Sequence, residues 1–195
     1  MKKNQLKSLT QALSVTAILL LSACSSNTNG SAGTQEYFVL GTSQAAKLSS
    51  ISGQPNISIS RVRLPAYLNQ RTLVKRGKDG KIHTLNQQFW AEKLGQSMPQ
   101  SLAKELAVQL GKPVEVHPLP PGISVDTTVE VDVTEFLGTD SQLVLQASYR
   151  LIKPKKLDSH NFSTTVTLPD TSTITLVDGY RQAVEQLSND IAKHL

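Results

Sequence analysis

Along residues 124–136 the chain alternates, with Val125, Val129, Val131 and Val133 set against Asp126, Thr128, Glu130, Asp132 and Thr134. A period of two predicts a half-buried strand. Residues 141–152 and 161–168 keep the same β-prone character and predict two further strands of a meander. Upstream, residues 56–64 alternate as Ile57 and Ile59 against Ser58 and Ser60, then change phase to Val62 and Leu64. A change of phase predicts a β-bulge or bend. Residues 36–40 predict a first strand. In residues 71–85, Lys78-Asp79-Gly80 separates two β-prone runs, and Gly80 supplies the positive φ that a hairpin turn needs.

The period lengthens elsewhere. Leu94, Met98, Leu102, Leu106 and Leu110 recur every four residues, one apolar stripe of an amphipathic helix. Pro99 within it predicts a kink or a division, with Ser97 capping the second part. Gly111 followed by Pro113 predicts the stop. A closing helix is expected from a cap at Asp178, with Ala183, Leu187, Ile191 and Leu195 on its buried side. Strands grouped with two helices give an α+β fold: a largely antiparallel β-sheet with two main helices packed on one face.

The first 23 residues belong to none of this. Lys2, Lys3 and Lys7 precede an apolar run from 12 to 23 that is too short for a membrane span, the pattern of a secretory leader. The run ends in Leu21-Ser22-Ala23-Cys24, which resembles the lipobox of bacterial lipoproteins, with Cys24 as the lipidation site. Cys24 is the only cysteine, so no disulfide forms within one chain. Each buried lipid CH₂ contributes about 0.8 kcal/mol, and two or more acyl chains anchor stably. Ser25 follows, where an Asp would resemble an inner-membrane retention signal, which favours the periplasmic face of the outer membrane. Residues 24–35 then read as the lipidated Cys and a flexible tether, spanning roughly 18–20 Å on average and roughly 35–40 Å at full stretch. Residues 36–195 form a single α+β periplasmic domain.

The leader also changes the charge. It holds three of the 20 basic residues, so the remaining chain carries 17 against 15 acidic ones, a net of +2. That gives no ground for a nucleic-acid partner. Placement is more telling. Residues 61–81 hold seven basic side chains and one acid, Asp79, whereas residues 126–140 hold five acids and no base. Three arrangements satisfy this separation: neighbouring copies matched head to tail in a homo-oligomer, a basic face on outer-membrane lipid headgroups, or pairing between strands of one chain.

Catalytic and metal-binding signals are weak. His83, His117, His160 and His194 are far apart in sequence with no i,i+4 pair, and no G-x-S-x-G, P-loop or G-x-G-x-x-G occurs. Gly41-Thr42-Ser43 reads as a strand exit. Asp126, Glu130 and Asp132 share a strand face, either as a carboxylate patch or as a solvated surface, with the solvated surface favoured. No enzyme, no metal site and no cofactor beyond the covalent lipid on Cys24 is expected. Pro65, Tyr67 and Leu68, between two strands, are candidates for partner recognition together with Arg71 and Arg76, although Tyr67 would equally cover the core edge.

Several stretches together resemble a known family: Tyr37-Phe38-Val39-Leu40-Gly41, then residues 59–110 with Pro65, Tyr67, Leu68 and Trp90, then Val131-Asp132-Val133-Thr134-Glu135-Phe136. This is the PqiC/YmbA-like family of ABC-type transport auxiliary outer-membrane lipoproteins. The resemblance implies a non-enzymatic lipoprotein that docks a PqiB-like, MCE-domain periplasmic protein at the outer membrane, in intermembrane lipid transport and envelope integrity. The alternative is a structural envelope lipoprotein that binds peptidoglycan or an assembly machine.

Overall fold

The computed structural model describes residues 33–195. The predicted leader, Cys24 and most of the tether lie outside the described residues. Eight strands and two long helices follow one another: β1 (Glu36–Phe38), β2 (Ile57–Arg63), β3 (Thr72–Arg76), β4 (Ile82–Trp90), α1 (Leu94–Leu110), β5 (Val114–Val116), β6 (Thr127–Gly138), β7 (Gln142–Lys153), β8 (Lys156–Thr167) and α2 (Thr173–His194). Short 3₁₀ turns at Ala45–Ser50 and Ala66–Leu68 interrupt the N-terminal half.

The predicted meander is the backbone of the sheet. β6, β7 and β8 pair antiparallel over almost their whole length. On the other side of β6 two strands share one edge: β2 runs parallel to its first half, and β3 joins in parallel at Lys75↔Gly138. Beyond β3 lie β4, antiparallel, and then β1, parallel to β4. β5 pairs parallel with β2. The sheet is mixed, but its longest ladders make it mostly antiparallel.

One face of this sheet is dry. Val129, Val131 and Val133 of β6 and Leu143, Leu145, Ala147, Tyr149 and Leu151 of β7 point toward both helices. α1 answers with Leu94, Met98, Leu102 and Leu106, all fully buried. α2 answers with Leu176, Tyr180, Ala183, Leu187 and Ile191. Tyr180 binds the layers together, its ring 4.5 Å from that of Phe136 and, edge to face, 5.3 Å from that of Trp90. Gly138 lets Leu176 pack closely where β6 ends, since a Cβ there would make the end of the leucine side chain shift.

The phase change in residues 56–64 is a true bulge, with the β2–β6 register shifting between Ile59 and Arg61. The β3–β4 hairpin turns with Gly80 at φ 76°. Two expectations need correction. Pro99 does not divide α1, which is one continuous helix. It falls in the second turn, where its missing N–H forfeits a single intrahelical bond and the acceptor lost is the carbonyl of Gly95, which has no side chain to crowd the ring. Asp178 is not the cap of α2. The helix starts five residues earlier, and Ser172 Oγ accepts from the Thr175 N–H. β5, only three residues long, is a strand that sequence periodicity did not predict.

Candidate functional site

The charged segments meet strand by strand within one chain. β2 lies beside β6, so Arg61 pairs with Glu130 at 3.2 Å, and Arg63 pairs bidentately with Asp132. Arg150 of β7 reaches Glu130 at 2.7 Å from the other side. Lys75 meets Asp140 at 2.8 Å, Arg76 meets Glu135 at 2.7 Å, and Lys81 lies 3.7 Å from Asp79. Four of the seven bases, Arg61, Arg63, Lys75 and Arg76, thus pair with four of the five acids, Glu130, Asp132, Asp140 and Glu135, within one chain. The guanidinium of Arg63 holds the Asp132 carboxyl below the usual carboxylate range, chiefly through its hydrogen bonds. Glu130 and Asp132 are thus ion-pair partners of arginines, a poor setting for a carboxyl that must give up and regain a proton.

The predicted partner-binding residues take structural posts. Leu68 is 2% exposed and sits in the core. Tyr67 packs against that core, and its hydroxyl accepts from the Phe136 N–H at 3.3 Å, just after the register shift between Val133 and Glu135. Arg71 donates from Nη2 to the Ala91 carbonyl at 2.7 Å, closing the far end of the β3–β4 hairpin. Arg76 is held by Glu135. Pro65, half-buried, precedes the 3₁₀ turn and offers its carbonyl to the Leu68 N–H.

The histidines are not all separate. His160 on β8 and His194 at the end of α2 meet with ring centroids 4.0 Å apart and tilted by 38°, and the Tyr149 hydroxyl lies 2.7 Å from Asp190 Oδ2 and 2.8 Å from His194 Nδ1. Burial, then the bond to Asp190, pushes the Tyr149 phenol well above its usual range. Among the described residues, no three His, Cys, Asp or Glu side chains converge as metal ligands.

A second cluster, which sequence reasoning missed, surrounds the N-terminal root of the body. After β1 the chain crosses both helices as a strap, residues 39–50. Arg181 of α2 donates to the carbonyls of Val39 and Leu40, each at 2.8 Å, and pairs with Asp178. Glu105 of α1, 1% exposed, gathers three donors on Oε1: the Thr42 hydroxyl at 2.5 Å, the Ser43 N–H at 2.6 Å and the Ser43 hydroxyl at 2.9 Å. Its Oε2 has no partner among the described residues. Ser43 and Gln44 also reach Glu185 of α2, at 2.9 and 2.8 Å. Beside the strap runs an open groove of about 680 Å³, walled by Val39, Ala45 and Leu48, with Lys104 at its rim. The one available signal was Glu105 itself, an acid set between the buried positions Leu102 and Leu106.

Fold and site together describe a two-layer α+β body whose N-terminal segment is fastened across both helices. By sequence the chain belongs to the family described as "ABC-type transport auxiliary lipoprotein component", whose model matches residues 38–192. Solved structures share the fold. A crystal structure of an uncharacterized protein superposes with a TM-score of 0.68 at 24% identity, covering 83% of this chain and 99% of its own. A Xanthomonas campestris protein assigned to the DUF330 family superposes with a TM-score of 0.58 at 11% identity, covering 82% and 89%. Both likenesses speak for the fold alone. Among curated proteins none matches the sequence.

Proposed function

We propose that this chain is a non-enzymatic lipoprotein of the outer membrane, anchored through Cys24 on the periplasmic face. There it receives a periplasm-spanning MCE-domain protein in intermembrane lipid transport. The observation that carries this reading is the conjunction of a family match over 38–192 with a lipobox directly after an apolar leader. The family supports "lipoprotein" and "transport auxiliary component". The outer membrane and the MCE partner come from Ser25 and from the resemblance of residues 36–195. The ion-pair geometry fits a binding role, since the acids that would have served a hydrolase are engaged by Arg61, Arg63 and Arg150.

Two measurements test it. Cys24→Ala leaves the precursor unacylated and held in the inner membrane, as read by fractionation. A mutant still found with the outer membrane overturns the anchor. A tagged full chain pulled from native membranes recovers an MCE-domain protein together with phospholipid. Recovery of peptidoglycan-associated proteins alone replaces the transport reading with the structural one.

A further inference from the structure

The sheet has two apolar ends, and only one suits a membrane contact. At the root, Tyr37 and Val39 are each 56% exposed, and the Tyr37 ring stacks on Phe89 at 5.6 Å. At the opposite end, the β7–β8 turn shows Ile152 at 37% and Leu157 at 60%, flanked by Lys153, Lys155 and Lys156. By composition alone the basic turn would be chosen, because lysines next to exposed aliphatic side chains favour an anionic lipid surface.

The register decides otherwise. Tyr37 is level with Phe89, Phe89 with Thr72, and Lys75 with Gly138, whereas Thr128 at the start of β6 is level with Ile152. Thr72 lies three residues before Lys75, so the root is level with about Glu135 in the C-terminal half of β6 and the basic turn lies near its N-terminal end, roughly 20–25 Å apart along the strands. β1 runs parallel to β4 and so antiparallel to β6, and the tether joins at its outer end. With a tether of roughly 18–20 Å typical span the root is the end nearest the bilayer, and bringing the turn there would draw the tether out toward its full stretch of roughly 35–40 Å.

We infer that the root face, made of Tyr37, Val39 and the strap groove, seats on the phospholipid headgroup layer of the membrane that holds Cys24. The basic β7–β8 turn points away from that membrane. This rests on the proposed anchoring at Cys24. Tyrosine suits the interface because its ring is apolar and its hydroxyl wet, and here that hydroxyl donates to Gln35 at 2.9 Å. Of the charged groove-lining residues, Asp178 and Arg181 pair with each other, while Lys104 has no carboxylate partner among the described residues and is placed to meet a lipid phosphate. Docking on the bilayer would also explain why the strap is sewn down: a loop pressed between body and headgroups needs a fixed shape.

The test uses the full acylated chain in vesicles of phosphatidylethanolamine and phosphatidylglycerol, with an environment-sensitive thiol probe at Val39→Cys, Ala45→Cys or Lys155→Cys. All three positions are exposed, and the acylated Cys24 has no free thiol to react. Flotation of the vesicles is scored in parallel. The expected result is a blue-shifted probe at 39 and 45 that loses emission to brominated acyl chains, while the probe at 155 keeps the spectrum it has in water. A chain that floats but shows quenching at 155 and none at 39 or 45 overturns the proposed face and leaves the anchor intact. So does a chain that floats with all three probes unquenched. Failure to float removes the anchor, and the face falls with it.

Discussion

The helix-covered meander and the strap at the root are held by different physics. Under the helices, stability comes from area: Leu102, Leu106, Leu143, Leu145, Leu187 and Ile191 are fully buried, and the contacts repeat with the helix and strand periods. The strap buries Leu40 and little else, and is held by a handful of polar bonds from Glu105, Arg181 and Glu185. Removing a few atoms from the first region opens a cavity. In the second, the loss of one acceptor strands several donors at once. The first should fail globally and the second locally.

The largest effect is therefore expected from Leu145→Ala in β7, at about 2–5 kcal/mol of unfolding free energy, because the surrounding layers cannot collapse fully into the space. Chemical denaturation should show an unchanged slope with a lower midpoint. A loss below that range would mean that the sheet relaxes around the site, and the contrast with the strap would weaken. Next comes Glu105→Ala, at about 1–3 kcal/mol, because the part-buried Ser43 N–H and the Thr42 hydroxyl lose their acceptor, while the Ser43 hydroxyl keeps Glu185. Its signature is spatial. Amide exchange should speed up over residues 39–50 while β6 and β7 keep their protection. Uniform acceleration across the body would show that the strap and the core open as one unit.

This contrast also sorts what the sequence makes visible. Period-two alternation placed β6, β-prone composition placed β7 and the second half of β8, and the four-residue stripes placed α1 and α2, because each of these signals is local. The bulge in β2 was readable for the same reason, as a break of phase at Ser60. Parallel pairing of β1 with β4 and of β2 with β6 was not readable, since it joins segments tens of residues apart with no local signal. Ser172 beat Asp178 as the cap of α2 because residues 173–177 fold into the helix ahead of the predicted stripe. His160 and His194 were judged separate by sequence distance, yet β8 and the end of α2 bring their rings into contact. The strap was invisible for a further reason: Thr42, Ser43 and Gln44 look like loop residues until the fold places a buried acid beneath them.

Tyr67 sharpens the comparison between core and surface at smaller scale. Tyr67→Phe keeps the ring and removes only the oxygen that accepts the Phe136 N–H, so about 1 kcal/mol is expected, detectable as a lower midpoint of denaturation. Partner capture should be unchanged. A variant of normal stability that loses capture would place the hydroxyl in the interface instead.

The smallest effect belongs to the open face, where the ion pairs lie in solvent. Asp132→Asn should cost about 0.2–1 kcal/mol at neutral pH, since its pairs with Arg63 and Arg150 are partly exposed and screened by salt. The sign with pH follows from the direction of its shift. Arg63 lowers the carboxyl's pKa in the folded chain below its value in the unfolded chain, near 4. The stabilisation is therefore present above about pH 4 and is lost as the pH falls toward the lower, folded value. The gap between wild type and Asp132→Asn should close over that interval and also shrink in high salt. A gap that stays constant from pH 7 to 3 would show that the side chain acts through packing, which would make the open face a second structural layer.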